Sequence, residues 1–330
     1  MHAARLIDIG RMEVGGIPDP QPARGEVVVK VAAAGVCGTD RHILKGEFPS
    51  KPPVVLGHEF SGTVVAVGEG VTTHKVGDFV ACDPNIACGS CPSCLLGRIN
   101  LCENLVAVGI HRDGGFAEYS SIPAHRAVPL PAGLSLQAAA FSEPLACCVH
   151  ALDIAAIRPG ERAIIIGGGV IGLLCLQLAR LAGAETMLIT RSPDRRRIGE
   201  TVGASLTAAT PEEARSAWPR GADVVLECAG VAETMAEAPR LAARGGRVVI
   251  VGVLAKGEMV AFEPFDMLTR EVDLRVAFVN PFTQSRALQL LASGAVQTRP
   301  LVTREVGRDE LPAILAAKPG PTEVKVLVTG

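Results

Sequence analysis

Residues 163–191 read AIIIGGGVIGLLCLQLARLAGAETMLITR, and this stretch decides the fold. A β-branched run, Ile164–Ile166, meets three glycines, and an apolar helical pattern follows through Leu173, Leu174, Leu176, Leu178 and Leu181. Gly183 closes that helix, and a second strand, Met187–Thr190, comes next. Strand, glycine loop, helix and strand make a βαβ unit, with the glycines falling as Gly167-x-Gly169-x-x-Gly172. Gly167 permits the tight turn, Gly169 lets a pyrophosphate approach the backbone, and Gly172 lets the helix pack closely on the sheet. The phosphates then meet unpaired N–H groups at the helix N-terminus. A GxGxxG motif alone is weak evidence. One set between a strand and a helix, with a second strand on schedule, points to dinucleotide binding.

Outward from this unit the α/β alternation continues. Further strands are expected around Leu206 and at Asp223–Glu227, Arg247–Val251 and Leu274–Phe278, with helical segments between most of them. Six such strands fit a doubly wound parallel sheet. The chain before it is β-rich, with strands expected at Glu26–Ala32, Gly62–Val67, Asp78–Cys82 and Gly115–Tyr119. Leu136–Ile157 reads as helical, with Pro144 starting a new helix. The tail holds helical patterns at Ser285–Ser293 and Asp309–Ala317 and a strand at Val324–Val328, but no seventh βαβ unit. It therefore returns to the first domain. The expected organisation is one domain from residues 1–150 and 279–330, with a dinucleotide-binding domain, 151–278, inserted into it.

A chain of 330 residues can bury two cores. Hydrophobic residues make up 48% and charged residues 20%, which excludes disorder, and the net charge of −2 gives no electrostatic case for nucleic acid or an anionic membrane. The longest apolar run, Ala163–Leu176, is too short to span a bilayer, and MHAARLIDIG has no signal-peptide core. The reading is a cytoplasmic protein with no membrane or nucleic-acid partner. A single Trp and a single Tyr argue against an aromatic-lined apolar pocket and for a polar substrate.

Of ten cysteines, four are bunched: Cys88, Cys91, Cys94 and Cys102 form C-x2-C-x2-C-x7-C, with Gly89, Pro92 and Gly97 supplying the turns. Four thiolates close a tetrahedral zinc shell with no open position, the structural kind, in a lobe spanning 84–104. A second set is dispersed: Cys37, the pair His58-Glu59, and Glu143. Each alone has an ordinary structural explanation. Together, a thiolate, an imidazole and a carboxylate leave zinc a position for water or substrate oxygen, as catalytic zinc needs.

These residues and their order resemble the zinc-dependent medium-chain dehydrogenase/reductase family, and within it the polyol (sorbitol-type) and threonine dehydrogenase branch. The resemblance covers nearly the whole chain. It is carried by GVCGTDRH (35–42), GHEFSGTVVAVG (57–68), the four-cysteine lobe, GGFAEY (114–119), EPLACCVHA (143–151), GGGVIG (167–172), VVLECAG (224–230) and LASGAVQTRPLVT (291–303). It implies a GroES-like catalytic domain beside a Rossmann domain, with Cys37 and His58 as catalytic zinc ligands. Glu59 is then the third ligand, and Glu143 a ligand or the partner of the zinc-bound water. It also implies a proton relay through Thr39 and His42 and hydride exchange with a nicotinamide. Gly167, Gly169, Val170, Ile171, Gly172, Cys228, Val251, Val253 and Phe278 would contact that cofactor. The family commonly forms dimers or tetramers, often through the segment matching Asp273–Phe282.

Two departures matter. The acidic residue that would end the second strand and hold a ribose 2′-hydroxyl is Arg191 here, followed by Ser192, with Arg195, Arg196 and Arg197 close behind. A guanidinium binds a 2′-phosphate that a carboxylate would repel, so Arg191, Ser192 and Arg196 predict NADP(H) over NAD(H). Second, the aromatic residue that follows the relay histidine in animal sorbitol dehydrogenases is Ile43, and an arginine contacting polyol is Ala277, which argues against sorbitol itself. The expected activity is a zinc-dependent, NADP-linked dehydrogenase of secondary alcohols, with polyols, sugar alcohols or cyclitols as substrate class. The alternatives are an amino-alcohol, aminocyclitol or threonine dehydrogenase, and a nucleotide-binding protein that has lost catalysis.

Overall fold

A computed structural model describes all of residues 1–330. The chain opens with a hairpin, β1 (His2–Asp8) and β2 (Arg11–Gly16), which with β4 (Val54–Val55) makes a three-stranded sheet. The longest early strand, β3 (Glu26–Gly35), is the spine of a larger sheet. It pairs antiparallel with β5 (Glu59–Val67), which pairs with β6 (Phe79–Cys82). The helix α1 (Gly38–Leu44) follows β3 directly. A short hairpin, β7 (Asn85–Ile86) and β8 (Val106–Ala107), brackets the cysteine lobe and its one-turn helix α2 (Pro92–Leu95). Strand β9 (Tyr119–Pro123) joins β3, and β10 (Ala127–Pro129) joins β6. Phe60, Phe116 and Ile122, all fully buried, fill the interior beneath this sheet.

One expected strand is displaced. The sequence predicts a strand over Gly115–Tyr119, yet the regular strand begins only at Tyr119. The glycines before it are needed for close crossing: the N–H groups of Gly114, Gly115 and Phe116 bond Val55, Gly57 and Leu56. A side chain at Gly114 would collide with the Gly57 carbonyl. Those bonds tie 114–116 to the loop that carries His58, so the segment cannot run as a ladder strand.

The helical stretch splits as the proline predicts, into α3 (Leu136–Ala139) and α4 (Ser142–Ala155), with Pro144 in the first turn of the second. There follow β11 (Arg162–Ile166), α5 (Val170–Leu181), β12 (Glu185–Ile189), α6 (Pro193–Thr201), β13 (Leu206–Ala208), α7 (Pro211–Ala217) and β14 (Ala222–Glu227). Then come α8 (Ala232–Leu241), β15 (Ala242–Ile250), α9 (Pro264–Arg270) and β16 (Asp273–Val276). The six strands are parallel in the order β13-β12-β11-β14-β15-β16. The order reverses between β11 and β14, which opens a crevice at their carboxyl ends. The β-branched and leucine side chains of the central strands β12, β11 and β14 are buried on both faces, as a parallel sheet covered by helices requires.

The tail holds α10 (Gln284–Ala292), β17 (Val302–Val306), α11 (Leu311–Ala316) and β18 (Lys325–Thr329). Strand β18 pairs with β3 and β17, so the chain closes on the larger sheet built on β3. The return passes through Val279 and Phe282, both left-handed at φ 46° and 58°. Non-glycine residues rarely adopt that conformation, and between them Asn280 is 2% exposed. It accepts a hydrogen bond from Asn85 and donates to Asp83 and Gln284 at 3.4 Å. No helix is long and apolar enough to cross a membrane.

Candidate active site and metal centres

Three ligand-type side chains converge where β3 meets β5. Cys37 caps α1, and His58 and Glu59 lead into β5. Their ligand atoms all lie within 4.8 Å of one another, although 22 positions separate Cys37 from Glu59 in the chain. The pairing of Gly35 with Glu59 across the sheet brings them together. A side chain at Gly35 would collide with the Glu59 carboxylate and with Lys325, so glycine is required there for space.

His58 and Glu59 are buried, Cys37 is half-buried, and the group is incompletely satisfied. His58 is 5% and Glu59 1% exposed. His58 Nδ1 faces Asp40 Oδ1 at 3.5 Å, and neither atom finds a hydrogen-bond partner. Glu59 Oε1 is likewise orphaned, whereas its Oε2 accepts a bond from Lys325 Nζ. Burial depresses the imidazole's pKa, but the charges of Asp40 and Cys37 outweigh it and raise His58 well above its ordinary value. Orphaned buried polar atoms are rare in native proteins. A thiol, an imidazole whose second nitrogen faces a carboxylate, and a carboxylate with one free oxygen form the donor set of a zinc site.

Glu143 lies in the first turn of α4, outside that triad. Its Oε1 accepts a 3.4 Å hydrogen bond from the Cys147 thiol one turn on. Burial pushes its carboxyl up to about 7 against the pull of His58. On the same helix Cys148 donates at 3.5 Å to the carbonyl of Ile171, in the first turn of α5. Five residues of α4, a rise of about 7–8 Å, thus span from the triad's edge to the helix that begins at the glycine loop.

In that loop the three glycines differ as the motif requires. Gly167 is left-handed at φ 110°, and a Cβ on it would press on Ala229 N at 2.8 Å. A Cβ on Gly169 would meet nothing within 4 Å, and one on Gly172 would collide with the Gly167 carbonyl. Gly169 is therefore the open face of the loop, at the cap of α5, with Val170 and Ile171 in its first turn. Cys228, Val251 and Val253 follow β14 and β15 along the same crevice. Glu227 pins it: its carboxylate accepts bonds from Ala229 N, Gly230 N and Thr234 Oγ1. Phe278 lies beyond β16, and its carbonyl accepts a bond from Asn100 of the cysteine lobe.

The arginines after β12 divide their work. Arg196 donates to the carbonyls of Thr190 and Arg191, Arg195 to those of Gly320 and Glu323, and Arg197 to Asp194. Ser192 caps α6 and donates to Pro321 O. Arg191 alone is exposed and makes no ion pair. Arg196 thus holds the backbone that presents Arg191.

Thr39 and His42 share one turn of α1, as read from the sequence. His42 Nδ1 is held by Glu47 at 2.6 Å, which leaves Nε2 free. Ile43, by contrast, is 1% exposed and belongs to the core. The lobe cysteines Cys88, Cys91, Cys94 and Cys102 also gather within 4.8 Å. Backbone N–H groups already serve them, with Cys88 N on Cys102 Sγ at 3.2 Å and Cys91 N on Cys88 Sγ at 3.4 Å. Hydrogen bonds from the N–H groups of Ser90 and Cys91 lower Cys88 to about 5, a thiolate at neutral pH.

Sequence reasoning missed Lys325, Asp40, Cys147 and Glu227. Lys325 left a signal: a lysine opening a strand that is otherwise apolar and buried. Its partner is 266 positions away.

Family models match two segments: an alcohol dehydrogenase GroES-like domain over residues 23–132 and a zinc-binding dehydrogenase domain over 170–293. A sorbitol dehydrogenase of Halalkalibacterium halodurans is 34% identical, covering 97% of this chain and 96% of its own. A crystal structure from Sinorhizobium meliloti 1021, of a chain described as a zinc-binding dehydrogenase and bound to NADP, superposes with a TM-score of 0.97. It has 48% identity and covers 100% of this chain and 99% of its own. An alcohol dehydrogenase from Escherichia coli CFT073 in complex with NADH superposes with a TM-score of 0.92 at 27% identity, covering 100% and 99%.

Proposed function

The chain belongs to the zinc-dependent medium-chain dehydrogenases, in their polyol dehydrogenase-like branch, and from that premise we propose that it interconverts a polyol, sugar-alcohol or cyclitol-type secondary alcohol and its ketone, with NADP(H) preferred. The observation that carries this reading is the convergence of Cys37 with the buried His58 and Glu59, one oxygen of Glu59 being orphaned, beside a helix, α4, that is bonded to the glycine-loop helix.

In this reading Cys37, His58 and Glu59 hold a catalytic zinc, and Cys88, Cys91, Cys94 and Cys102 hold a structural one. The catalytic zinc supplies Lewis acidity toward the substrate oxygen. A bound nicotinamide would supply the hydride acceptor or donor. Asp40 orients His58 by facing its Nδ1, which directs the other ring nitrogen to the metal. Lys325 occupies one oxygen of Glu59, so this residue offers a single ligand atom. Glu143, drawn back by Cys147 and poised near neutrality, stands ready as an exchangeable ligand or proton partner. Thr39 and His42 carry the proton outward, with Glu47 fixing the imidazole so that Nε2 faces the relay. Gly167, Gly169 and Gly172 seat the pyrophosphate.

NADP preference rests on Arg191, which has no protein partner to give up, and is supported by the NADP held in the Sinorhizobium meliloti relative. Copies are proposed to associate through the outer edge of β16, flanked by exposed Val276, Phe278 and Phe282.

The test is an absorbance screen of zinc-replete protein at the reduced-nicotinamide band, with NADP and NAD against polyols, hydroxy-amino compounds and ketones. NADP-linked polyol oxidation that Cys37→Ala abolishes is the expected result. Turnover confined to hydroxy-amino substrates would move the chain to the threonine dehydrogenase side of the branch. Cofactor binding without any turnover would make it a silent nucleotide-binding protein.

A further inference from the structure

Two arginines have no part in the site as described: Arg41 of α1, buried at 7% exposure, and Arg195 of α6, half-buried. Both reach the same piece of chain, residues 317–323, which connects α11 to β18. That piece reads AKPGPTE and is mostly exposed. Its two prolines and glycine leave it few side chains with which to hold itself down. Its carbonyls are held instead, from two sides.

On one side, Arg41 Nη1 donates to the Ala317 carbonyl at 3.1 Å and Arg41 Nη2 to Glu323 Oε1 at 2.8 Å. On the other, Arg195 Nη2 donates to the carbonyls of Gly320 at 3.2 Å and Glu323 at 2.6 Å, and Ser192 Oγ donates to that of Pro321 at 2.8 Å. Helix α1 follows β3 of the larger sheet, whereas α6 packs on β12 and β13 of the six-stranded sheet. The segment therefore straps one half of the molecule to the other. Its place is beside the glycine loop, because a Cβ on Gly168 would stand 3.0 Å from Arg195 Cβ. The stem of Arg195 thus lies on the loop and its head on the strap. At the far end, α1 begins at Cys37 of the triad. Pro319 and Pro321 have fixed φ, which stiffens the strap between its two arginines. The bonds from α6 are all made to main-chain carbonyls, each modest alone. Such a contact can dock and undock.

We propose that residues 317–323 are a clasp that closes the two halves of the molecule beside the glycine loop, with Arg195 a positioning residue for the dinucleotide, whose release requires the clasp to undock. This rests on the reading that a nicotinamide dinucleotide binds at that loop, and is independent of the substrate and of the choice between NADP and NAD.

The experiment is stopped-flow fluorescence of NADH and NADPH release from the zinc-loaded full chain. Arg195→Ala keeps the Cβ that meets Gly168 and removes the head that holds the strap. It should speed release of both cofactors about 10-fold, the worth of a charged hydrogen bond, with the ratio of the two rates, the Tm and the zinc content unchanged. Arg195→Lys should recover part of the effect. Glu323→Ala frees the strap from Arg41 without touching α6, and should speed both releases by a smaller, equal factor. It carries the test if Arg195→Ala does not fold. Unchanged release in both alanine variants overturns the proposal. So does a change for NADPH alone, which would make Arg195 a phosphate ligand, or an Arg195→Ala effect with none from Glu323→Ala, which would be local to the loop. Wild-type protein that binds neither cofactor would overturn the dinucleotide reading and the clasp with it.

Discussion

The proposed NADP preference rests on one side chain, Arg191. The structure separates it from the arginines beside it, because Arg195, Arg196 and Arg197 are occupied by carbonyls or by Asp194. Arg191→Asp should therefore cost NADPH about 10- to 100-fold in affinity, the loss of a charge-assisted contact plus repulsion of the 2′-phosphate, and shift kcat/KM toward NAD. Fluorescence titration with both reduced cofactors checks this, and unchanged NADPH affinity would remove Arg191 from the site. Arg196→Ala should weaken NADPH less, since its guanidinium acts on the backbone. Lys325 makes the complementary point in the core. Removing one member of a buried ion pair costs about 3–5 kcal/mol, so Lys325→Met should destabilise metal-free protein by that order in urea unfolding. The loss should be smaller when zinc is bound, because the metal then compensates the Glu59 charge. Equal losses in both states would mean that Glu59 is no ligand. Cys37, His58, Glu59 and Arg191 could be singled out as candidates from the sequence because each sits in a short stretch that resembles a family motif. Lys325 could not, because its meaning lies in a partner brought to it only when β18 closes on β3.

At the scale of elements, helix α4 links the two halves of the site. Glu143 reaches toward the triad from its first turn, and Cys148 fastens its middle to α5. The glycine loop was legible because Gly167 and Gly172 answer local steric demands, whereas Gly169 keeps its face open. The strand near Tyr119 was not, because its start is set by the crossing of Gly114–Phe116 over the His58 loop, a contact between distant segments. The cysteine lobe is a third case. It has little apolar core beyond the cysteines themselves, Ala87 and Leu105, and leaves Leu95 and Leu96 about three-quarters exposed. A metal held by the four thiolates, as proposed, would supply its order. Cys94→Ser should lower the zinc content from two ions per chain to one, matching the two ligand groups, and lower Tm. It should leave Cys37-dependent chemistry in the surviving folded fraction. An unchanged melting curve and zinc content would show that the thiols hold no metal.

At the scale of the whole molecule, the six-stranded sheet is unevenly finished. One side of β16 pairs with β15, and the other has no neighbour in the chain. Val276 is 68% exposed there, and beyond it Phe278 and Phe282 are 48% and 68% exposed. Open strand edges template pairing with another chain unless charge or a bulge blunts them. Arg275 leaves little net charge on this one, because its guanidinium is paired with Asp273 of the same strand and bonds the Ile154 carbonyl. The left-handed Val279 and Phe282, held by the buried Asn280 network, fix the apolar side chains in place. A second copy of β16 across a two-fold axis would satisfy both edges at once, which makes the contact self-complementary. The chain should therefore elute as a multiple of 34.2 kDa in light-scattering chromatography. Val276→Lys, which sets a charge on the edge without touching the triad or the glycine loop, should shift it toward the single-chain mass while zinc content holds. Wild-type protein running at 34.2 kDa, or a variant that associates as before, would place the contact elsewhere or remove it.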